Sequence, residues 1–246
     1  MNRLAVVWSL LFLAAPVFAQ EGSAITAPPL PSFGMTVSYV EGAVTVNPAG
    51  GGPAATVAER DPLHPGDTVQ TAAGGRLEIS LANGSVIRLG ESSHLLLGTA
   101  PAGGHSFSAK LFLGNLWTRV RKLVSAETFH VETENGVAGV RGTEFRVEAG
   151  GQGDLVRVYQ GAVEVKGAAG WEHLVEPGRE LAFHRDRPPA GPRVFDPESE
   201  RKNQFMKWVR ERRDRPAAHP DRAPHREPPE RREPAERHEP RRERGR

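Results

Sequence analysis

The sequence predicts an all-β domain of layered strands, followed by a short helix and a disordered C-terminal tail. Between residues 33 and 185, apolar and polar residues alternate in short runs that are rich in β-branched side chains. Clusters of glycine, proline and asparagine separate these runs. Because none of the runs has a convincing helical period, we expect this domain to consist of strands.

One hairpin of this domain can be placed in register from its sequence. A three-residue loop over residues 82–84, with its glycine left-handed, sets Ile79 opposite Ile87. The same loop sets Leu77 opposite Leu89, so that one face of the hairpin becomes wholly apolar. A two-residue turn would leave Ile87 and Leu89 on the wrong face, so the longer loop is the prediction.

The domain also contains a short internal repeat. The segments YVEGAVTV (residues 39–46) and VYQGAVEV (residues 158–165) share the pattern Gly-Ala-Val-x-Val, and a Pro-Gly pair follows each copy. Two copies are fewer than a long solenoid needs, and chance recurrence is the alternative. The shared Pro-Gly pairs favour a true repeat, which predicts that the two ends of the domain are built alike.

The segment NGVAGVRGTEF (residues 135–145) is the least random part of the chain. Five of its residues form a candidate structural motif: Gly139, Arg141, Gly142, Thr143 and Phe145. The two glycines would let another backbone pass close by, and the threonine hydroxyl could bond a neighbouring backbone group. We therefore interpret the motif as a structural element that supports the fold, not as a binding site.

The arginine of this motif allows a second interpretation. We expect Arg141 to be buried or half-buried and paired with an acid such as Glu144 or Glu132. A ligand or partner that contacts Arg141 and Glu144 is the open alternative.

The order and spacing of several segments are similar to those of the FecR domain of bacterial envelope proteins. These segments are HPGDTVQTAAGGRLEISLANGSVIRLGESSHLLL, LGNLWTRV, FHVETENGVAGVRGTEFRVE and VYQGAVEV, and they span residues 64–165. The most specific of them is VAGVRGTEFRV. The resemblance implies a twisted, solenoid-like β fold in the periplasm. In the best-known members, the domain helps relay the state of an outer-membrane receptor to a cytoplasmic sigma factor.

The N-terminus predicts export. Arg3, an apolar run over residues 4–15 and small residues before Gln20 indicate a cleaved signal peptide at residues 1–19, followed by a linker over residues 20–32. A membrane anchor is the alternative, but the run is shorter than the roughly 20 apolar residues of a spanning helix. We expect a periplasmic mature chain without the transmembrane helix and anti-sigma segment that precede the domain in those regulators.

Composition argues against several classes of function. The chain has no cysteine, which excludes disulfides and thiolate chemistry. Residues 20–193 carry 15 basic and 18 acidic side chains, and the chain from residue 196 onward carries 16 and 12. Neither balance has the density of a nucleic-acid-binding surface, so we expect no nucleic-acid partner.

Catalytic motifs are missing from the sequence as well. It contains no nucleophile elbow, phosphate loop or dinucleotide fingerprint, and its histidines lack metal-ligand spacing. His130 and Glu132 share one face of a strand that a metal could use, but a solvent-facing pair is the favoured interpretation. We predict a protein that is not an enzyme and has no cofactor or metal site.

The C-terminal part reads as three segments. A proline-rich linker over residues 186–195 precedes an amphipathic helix over residues 196–213, with Asp196 as its N-cap and Pro197 in its first turn. Residues 214–246 consist mainly of proline, arginine, glutamate and histidine, and we expect them to be disordered because they have little to bury.

The helix has one short apolar stripe, formed by Phe205, Trp208 and Val209. Docking of this stripe on the β domain is the favoured interpretation. A surface offered to a partner or to a membrane interface is the alternative.

Together these features predict an exported FecR-like module that takes part in envelope signalling through protein interaction or sensing. The alternative is a structural or glycan-binding envelope protein that contacts peptidoglycan or lipopolysaccharide. In either case the partner is an envelope protein or a cell-wall component.

Overall fold

The computed structural model describes residues 34–98, 106–124 and 127–213. The predicted signal peptide, the linker over residues 20–32 and the predicted disordered tail over residues 214–246 lie outside the described residues. The strands are β1 Met35–Glu41, β2 Val44–Asn47, β3 Ala55–Thr56, β4 Pro62–Leu63, β5 Thr68–Thr71, β6 Arg76–Leu81, β7 Val86–Leu89, β8 His94–Leu97, β9 Ser106–Arg119, β10 Thr128–Glu132, β11 Gly136–Val140, β12 Glu144–Ala149, β13 Asp154–Gln160, β14 Val163–Gly167, β15 Glu172–Val175, β16 Arg179–Phe183 and β17 Arg193–Val194. The helices are α1 Pro197–Lys202 and α2 Gln204–Arg213.

The strands form two layers that share one long strand. Sheet I has the order β4-β1-β6-β7-β9-β12-β13-β16-β17. Sheet II has the order β3-β2-β5-β8-β9-β10-β11-β14-β15. The first part of β9 pairs in sheet II and the part from Gly114 onward pairs in sheet I, so β9 ties the layers together. The predicted all-β, layered fold is confirmed.

One continuous apolar core is formed by the inward side chains of both sheets. It includes Leu77 and Ile79 from sheet I and Leu95 and Phe129 from sheet II, and all four side chains are inaccessible to solvent. Because side chains alternate along a strand, the neighbours of these residues point away from the core. Each sheet therefore presents an outer face, and these two faces are the candidate surfaces for function.

The predicted hairpin is confirmed. Leu77 pairs with Leu89 and Ile79 pairs with Ile87 across β6 and β7. The loop is residues 82–84, closed by the backbone N–H of Leu81, which donates to the carbonyl of Ser85 (2.9 Å).

The internal repeat corresponds to the same local structure at two places. In the first copy, β1 of sheet I leads through Gly42 into β2 of sheet II, and in the second, β13 leads through Gly161 into β14. Both glycines are left-handed, with φ of 69° and 76°. The likeness ends there, because the Pro-Gly turn of the first copy precedes a strand of sheet II and that of the second precedes a strand of sheet I.

The C-terminal segments differ in detail from the prediction. The predicted linker over residues 186–195 contains β17, which adds an edge strand to sheet I. The predicted single helix is broken at Asn203, whose backbone is extended (ψ 122°). The side-chain oxygen of Asn203 accepts a hydrogen bond from the N–H of Met206 (3.0 Å), so this residue caps α2. Asp196 caps α1 as predicted, because its carboxylate accepts from the N–H of Glu198 (2.9 Å).

Neither described helix has the length and apolar character needed to cross a membrane.

Candidate interaction surfaces

The motif over residues 135–145 forms a corner at which the chain passes from sheet II to sheet I. Strand β11 ends at Val140 and β12 begins at Glu144. Between them Gly142 is left-handed (φ 94°), and a Cβ atom there would lie 2.9 Å from the Cα of Lys122. Glycine suits this position for two reasons, the backbone conformation and the close approach of a neighbouring segment.

This corner packs against the corner of the second repeat copy. The hydroxyl of Thr143 donates a hydrogen bond to the carbonyl of Ala162 (3.0 Å). A Cβ atom on Gly161 would lie 2.8 Å from the carbonyl oxygen of Gly142. The two sheet crossings therefore lie side by side, held by a backbone contact that a larger side chain would disturb.

The other motif residues have different environments. Phe145 is fully buried in the core, and Gly139 lies opposite the ring of His130 on sheet II. The expected burial of Arg141 is wrong: its side chain is exposed and forms no ion pair with Glu132 or Glu144. It follows the last inward residue of β11 and turns to solvent at the corner. The role of the five residues as one motif remains a prediction.

A row of mostly charged side chains crosses the outer face of sheet I. Each member is paired directly with the next across eight strands. This charged row consists of Tyr39, Glu78, Arg88, Trp117, Arg146, Arg157, Glu180 and Arg193. Several of the charged members are almost fully buried although they face away from the core, because α1 and α2 cover them.

The centre of the charged row holds two neighbouring positive charges. Arg146 and Arg157 are directly opposite each other on β12 and β13. Glu200 of α1 lies over both, with its carboxylate 3.1 Å from Nη1 of Arg146 and 2.5 Å from Nη1 of Arg157. The hydroxyl of Tyr159 also donates to this carboxylate. Burial and the adjacent negative charge of Glu200 raise the pKa of Tyr159, so its hydroxyl stays a donor.

A second ionic cluster lies at the C-terminal end of α2. Arg88 contacts Glu78 (2.7 Å) and also donates to the backbone carbonyl of Val209 (2.9 Å). Arg212 of α2 contacts Glu78 as well (3.3 Å). Burial alone would raise the pKa of Glu78, but the hydrogen bond and charge of Arg88 and the hydrogen bonds of Arg212 and Ser38 together lower it. Glu78 is therefore a carboxylate that fastens α2 to the sheet.

An apolar patch joins the two ionic clusters. Met206, Trp208 and Val209 of α2 are buried against Val86 and Trp117 of sheet I. The structure thus shows docking of the predicted stripe on the β domain, the favoured interpretation. Phe205 is only partly buried at the border of this patch. Binding of a partner through the stripe remains a prediction for Phe205, Trp208 and Val209.

The outer face of sheet II carries no described helix. One row of paired residues across it is Ser108, His130, Gly139, Glu164 and Leu174, and the next is Leu96, Lys110, Glu132, Val137, Lys166 and Glu172. These side chains are exposed or half-buried. The ammonium of Lys166 lies 3.3 Å from Glu164 and 3.3 Å from Glu172, so charges of both signs alternate here. We call this surface the open face.

An aromatic pair lies on β8 and β9 of the same face. The rings of His94 and Phe112 are 4.8 Å apart, and the ammonium of Lys110 lies 5.0 Å from the Phe112 ring. Lys110 also contacts Glu134 (2.8 Å), whose pKa is lowered by the hydrogen bond and charge of that lysine. Among the described residues no three histidine or acidic side chains are placed to hold a metal ion.

The charged row was not predicted from the sequence. Its signal is present in the strands, where RLEISL, VIRL, EFRVE and LVRVY each have a charge between inward apolar residues. Such a pattern is typical of any strand with one solvated face, so it does not show that helices cover the charges. The matching charges of the helix segment, Glu200 and Arg212, are the additional sign.

A family model described as FecR protein matches residues 67–164. No curated protein matches the chain. Two crystal structures of a candidate anti-sigma factor from Parabacteroides distasonis ATCC 8503 are similar, both at 16% identity. One has a TM-score of 0.47 and covers 58% of this chain and 64% of that chain. The other has a TM-score of 0.46 and covers 55% and 63%.

A cell surface anchoring domain is also similar, with a TM-score of 0.24 and 27% identity over 25% of this chain and 79% of that chain. The match to the anti-sigma factor structures spans less than two thirds of their length. The family match agrees with the resemblance that the sequence predicts over residues 64–165. Residues 67–164 of this chain, with the Gly142 corner among them, are therefore a FecR domain.

Proposed function

We propose that this protein is an exported interaction module of bacterial envelope signalling, and that it contacts another envelope protein through the open face. The single observation that carries this proposal is the FecR domain at residues 67–164. That range includes the whole of β5, β8, β9, β10 and β11, the central strands of sheet II. The range also includes β6, β7, β12 and β13 of sheet I, so the choice between the two faces rests on the position of the helices.

The distribution of the helices supports the choice of face. In the described part of the chain, both helices lie against sheet I, and the outward side chains of sheet II stay accessible. The open face has alternating charges and scattered apolar groups such as Leu174 and Val137. A polar partner surface with charges of both signs fits this chemistry, because each charge can find an opposite one.

Site-specific photocrosslinking in intact cells tests this function. A photoreactive residue replaces Glu164 or Lys110 on the open face, and Glu59, an exposed residue outside it, serves as the control position. We expect both open-face positions to capture the same protein, a membrane-embedded envelope protein, and Glu59 to capture none. No capture, or the same products from all three positions, contradicts the proposal.

A glycan-binding role is the second candidate, and the aromatic pair favours it. The Phe112 ring lies close to His94 and Lys110 and offers an apolar surface beside polar groups, an arrangement suited to a sugar ring. This role predicts that the purified protein sediments with purified peptidoglycan and that Phe112→Ala abolishes sedimentation. If neither the wild type nor Phe112→Ala sediments with peptidoglycan, this candidate is removed. The crosslinking result is unaffected by that outcome.

A further inference from the structure

The contact between the helices and sheet I leaves two buried donors without partners. The indole N–H groups of Trp117 and Trp208 are inaccessible to solvent and have no hydrogen-bond partner among the described residues. A buried donor without an acceptor destabilises the contact, because it has lost its hydrogen bonds to water and gained none. The helices of this chain therefore cover the charged row but leave the indole N–H of Trp117, one of its members, without an acceptor.

The helices can also leave the sheet without disrupting it. Every described strand precedes Asp196, so release of α1 and α2 breaks no strand pairing. The site that they vacate has a defined chemistry. It contains the opposed guanidinium groups of Arg146 and Arg157, and beside them an apolar platform formed by Trp117 and Val86.

We propose that the charged row of sheet I is a binding site for an amphipathic helix of a partner protein, which α1 and α2 occupy in the free chain. The partner helix carries a carboxylate that lies between Arg146 and Arg157, as Glu200 does. Large apolar side chains on the same face of the partner helix pack on Trp117, and an acceptor group meets its indole N–H. This inference goes beyond the proposed function and does not rest on it, because it concerns the opposite face.

Exchange of one carboxylate-bearing helix for another is energetically accessible. Arg146 and Arg157 are already largely desolvated in the free chain, so a partner carboxylate that replaces Glu200 adds little to this cost. A partner that also accepts a hydrogen bond from Trp117 gains an interaction that α2 does not provide.

A labelled peptide of residues 196–213 serves as the probe for this site in the full chain. The chain variant Glu200→Ala/Met206→Ala weakens the internal helix, and we expect it to bind the peptide at least tenfold more tightly than the wild type. Glu198→Ala, an exposed change on the same helix, should bind as the wild type does. A peptide with Glu200→Ala should bind the weakened chain at least tenfold more weakly.

Two results of the peptide experiment overturn the proposal. One is peptide binding that does not increase in the weakened chain or does not depend on the peptide carboxylate. The other is a dimer of the weakened chain in light scattering, which would assign the site to the helix of a second copy.

Amide hydrogen exchange of the wild-type chain tests the same proposal where the variant does not fold. We expect the amides of α1 and α2 to exchange at least a hundredfold faster than those of β12 and β13, because the helices open while the sheet stays intact. Equal protection of helices and strands overturns the proposal.

Discussion

The carboxylate of Glu200 lies between Arg146 and Arg157, two arginines that face each other directly on neighbouring strands. Without Glu200, two like charges would meet on a buried surface, although Glu148 and Glu180 offset part of their charge. One residue of a six-residue helix thus completes the ionic contact between the C-terminal segment and sheet I.

Replacement of Glu200 should destabilise the protein. In Glu200→Ala we expect the free energy of unfolding to fall by about 3–5 kcal/mol, since removal of one partner leaves buried charge uncompensated. Urea denaturation of the full chain measures this change. Glu198→Ala, on the exposed side of the same helix, is the control and should change it by less than about 0.5 kcal/mol. Equal effects of the two variants would show that Glu200 does not anchor the helix.

Gly142→Val should disrupt the corner between the sheets. Gly170 provides a matched control, because it is also left-handed (φ 82°) but has no atom within 4 Å of an added Cβ. We expect Gly170→Val to cost about 1–2 kcal/mol from backbone strain alone. Gly142→Val should cost at least about 2 kcal/mol more, because its side chain also meets the backbone of Lys122. Thermal unfolding of both variants measures the difference, and similar midpoints would count against a structural role for this glycine.

Stability should fall in acid in a way that depends on Glu78. Its pKa is lowered in the folded protein, so its ionic contacts contribute stability above the pKa of an unfolded glutamate, about 4.3. This contribution is lost as the pH falls from there through the folded pKa. We expect the wild type to lose more stability than Glu78→Gln between pH 7 and pH 3, as measured by urea midpoints. Parallel pH curves for the two proteins would contradict this assignment.

Two truncations should separate the tail from the helices. Deletion of residues 216–246 should leave the unfolding midpoint unchanged, because that segment has few apolar side chains to bury. Deletion of residues 196–246 should lower the midpoint, because burial of a large apolar side chain such as Trp208 or Val209 contributes about 1.5–3 kcal/mol. Calorimetry of the two truncated chains measures both effects. An unchanged midpoint after the longer deletion would contradict docking.

The strands and the hairpin were accessible from sequence because their signals are local. The pairing of Ile79 with Ile87 follows from a loop of three residues and from the alternation of side chains on either side of it. The break at Asn203 was not predicted, because asparagine is tolerated within a helix and only its bond to the N–H of Met206 makes it a cap.

The charged row is a long-range feature, which local sequence patterns do not predict. Arg146 and Glu200 are 54 positions apart, and neither shows in the sequence that it is buried. The error at Arg141 has the same origin, because its burial was expected from the acids Glu132 and Glu144 nearby in the sequence. Strand β11 ends at Val140, and the side chain of Arg141 points to solvent at the corner.

Histidine footprinting in intact cells tests most directly whether a partner covers the open face. Diethyl pyrocarbonate modifies accessible histidines, and His130 and His94 lie on the open face. His64 serves as the reference, because its side chain is 71% exposed and it lies between β4 and β5, outside the rows of the open face. We expect His130 and His94 to react in the purified protein and to be protected in cells, relative to His64 in the same sample. Equal modification of all three histidines in cells and in the purified protein would contradict the account.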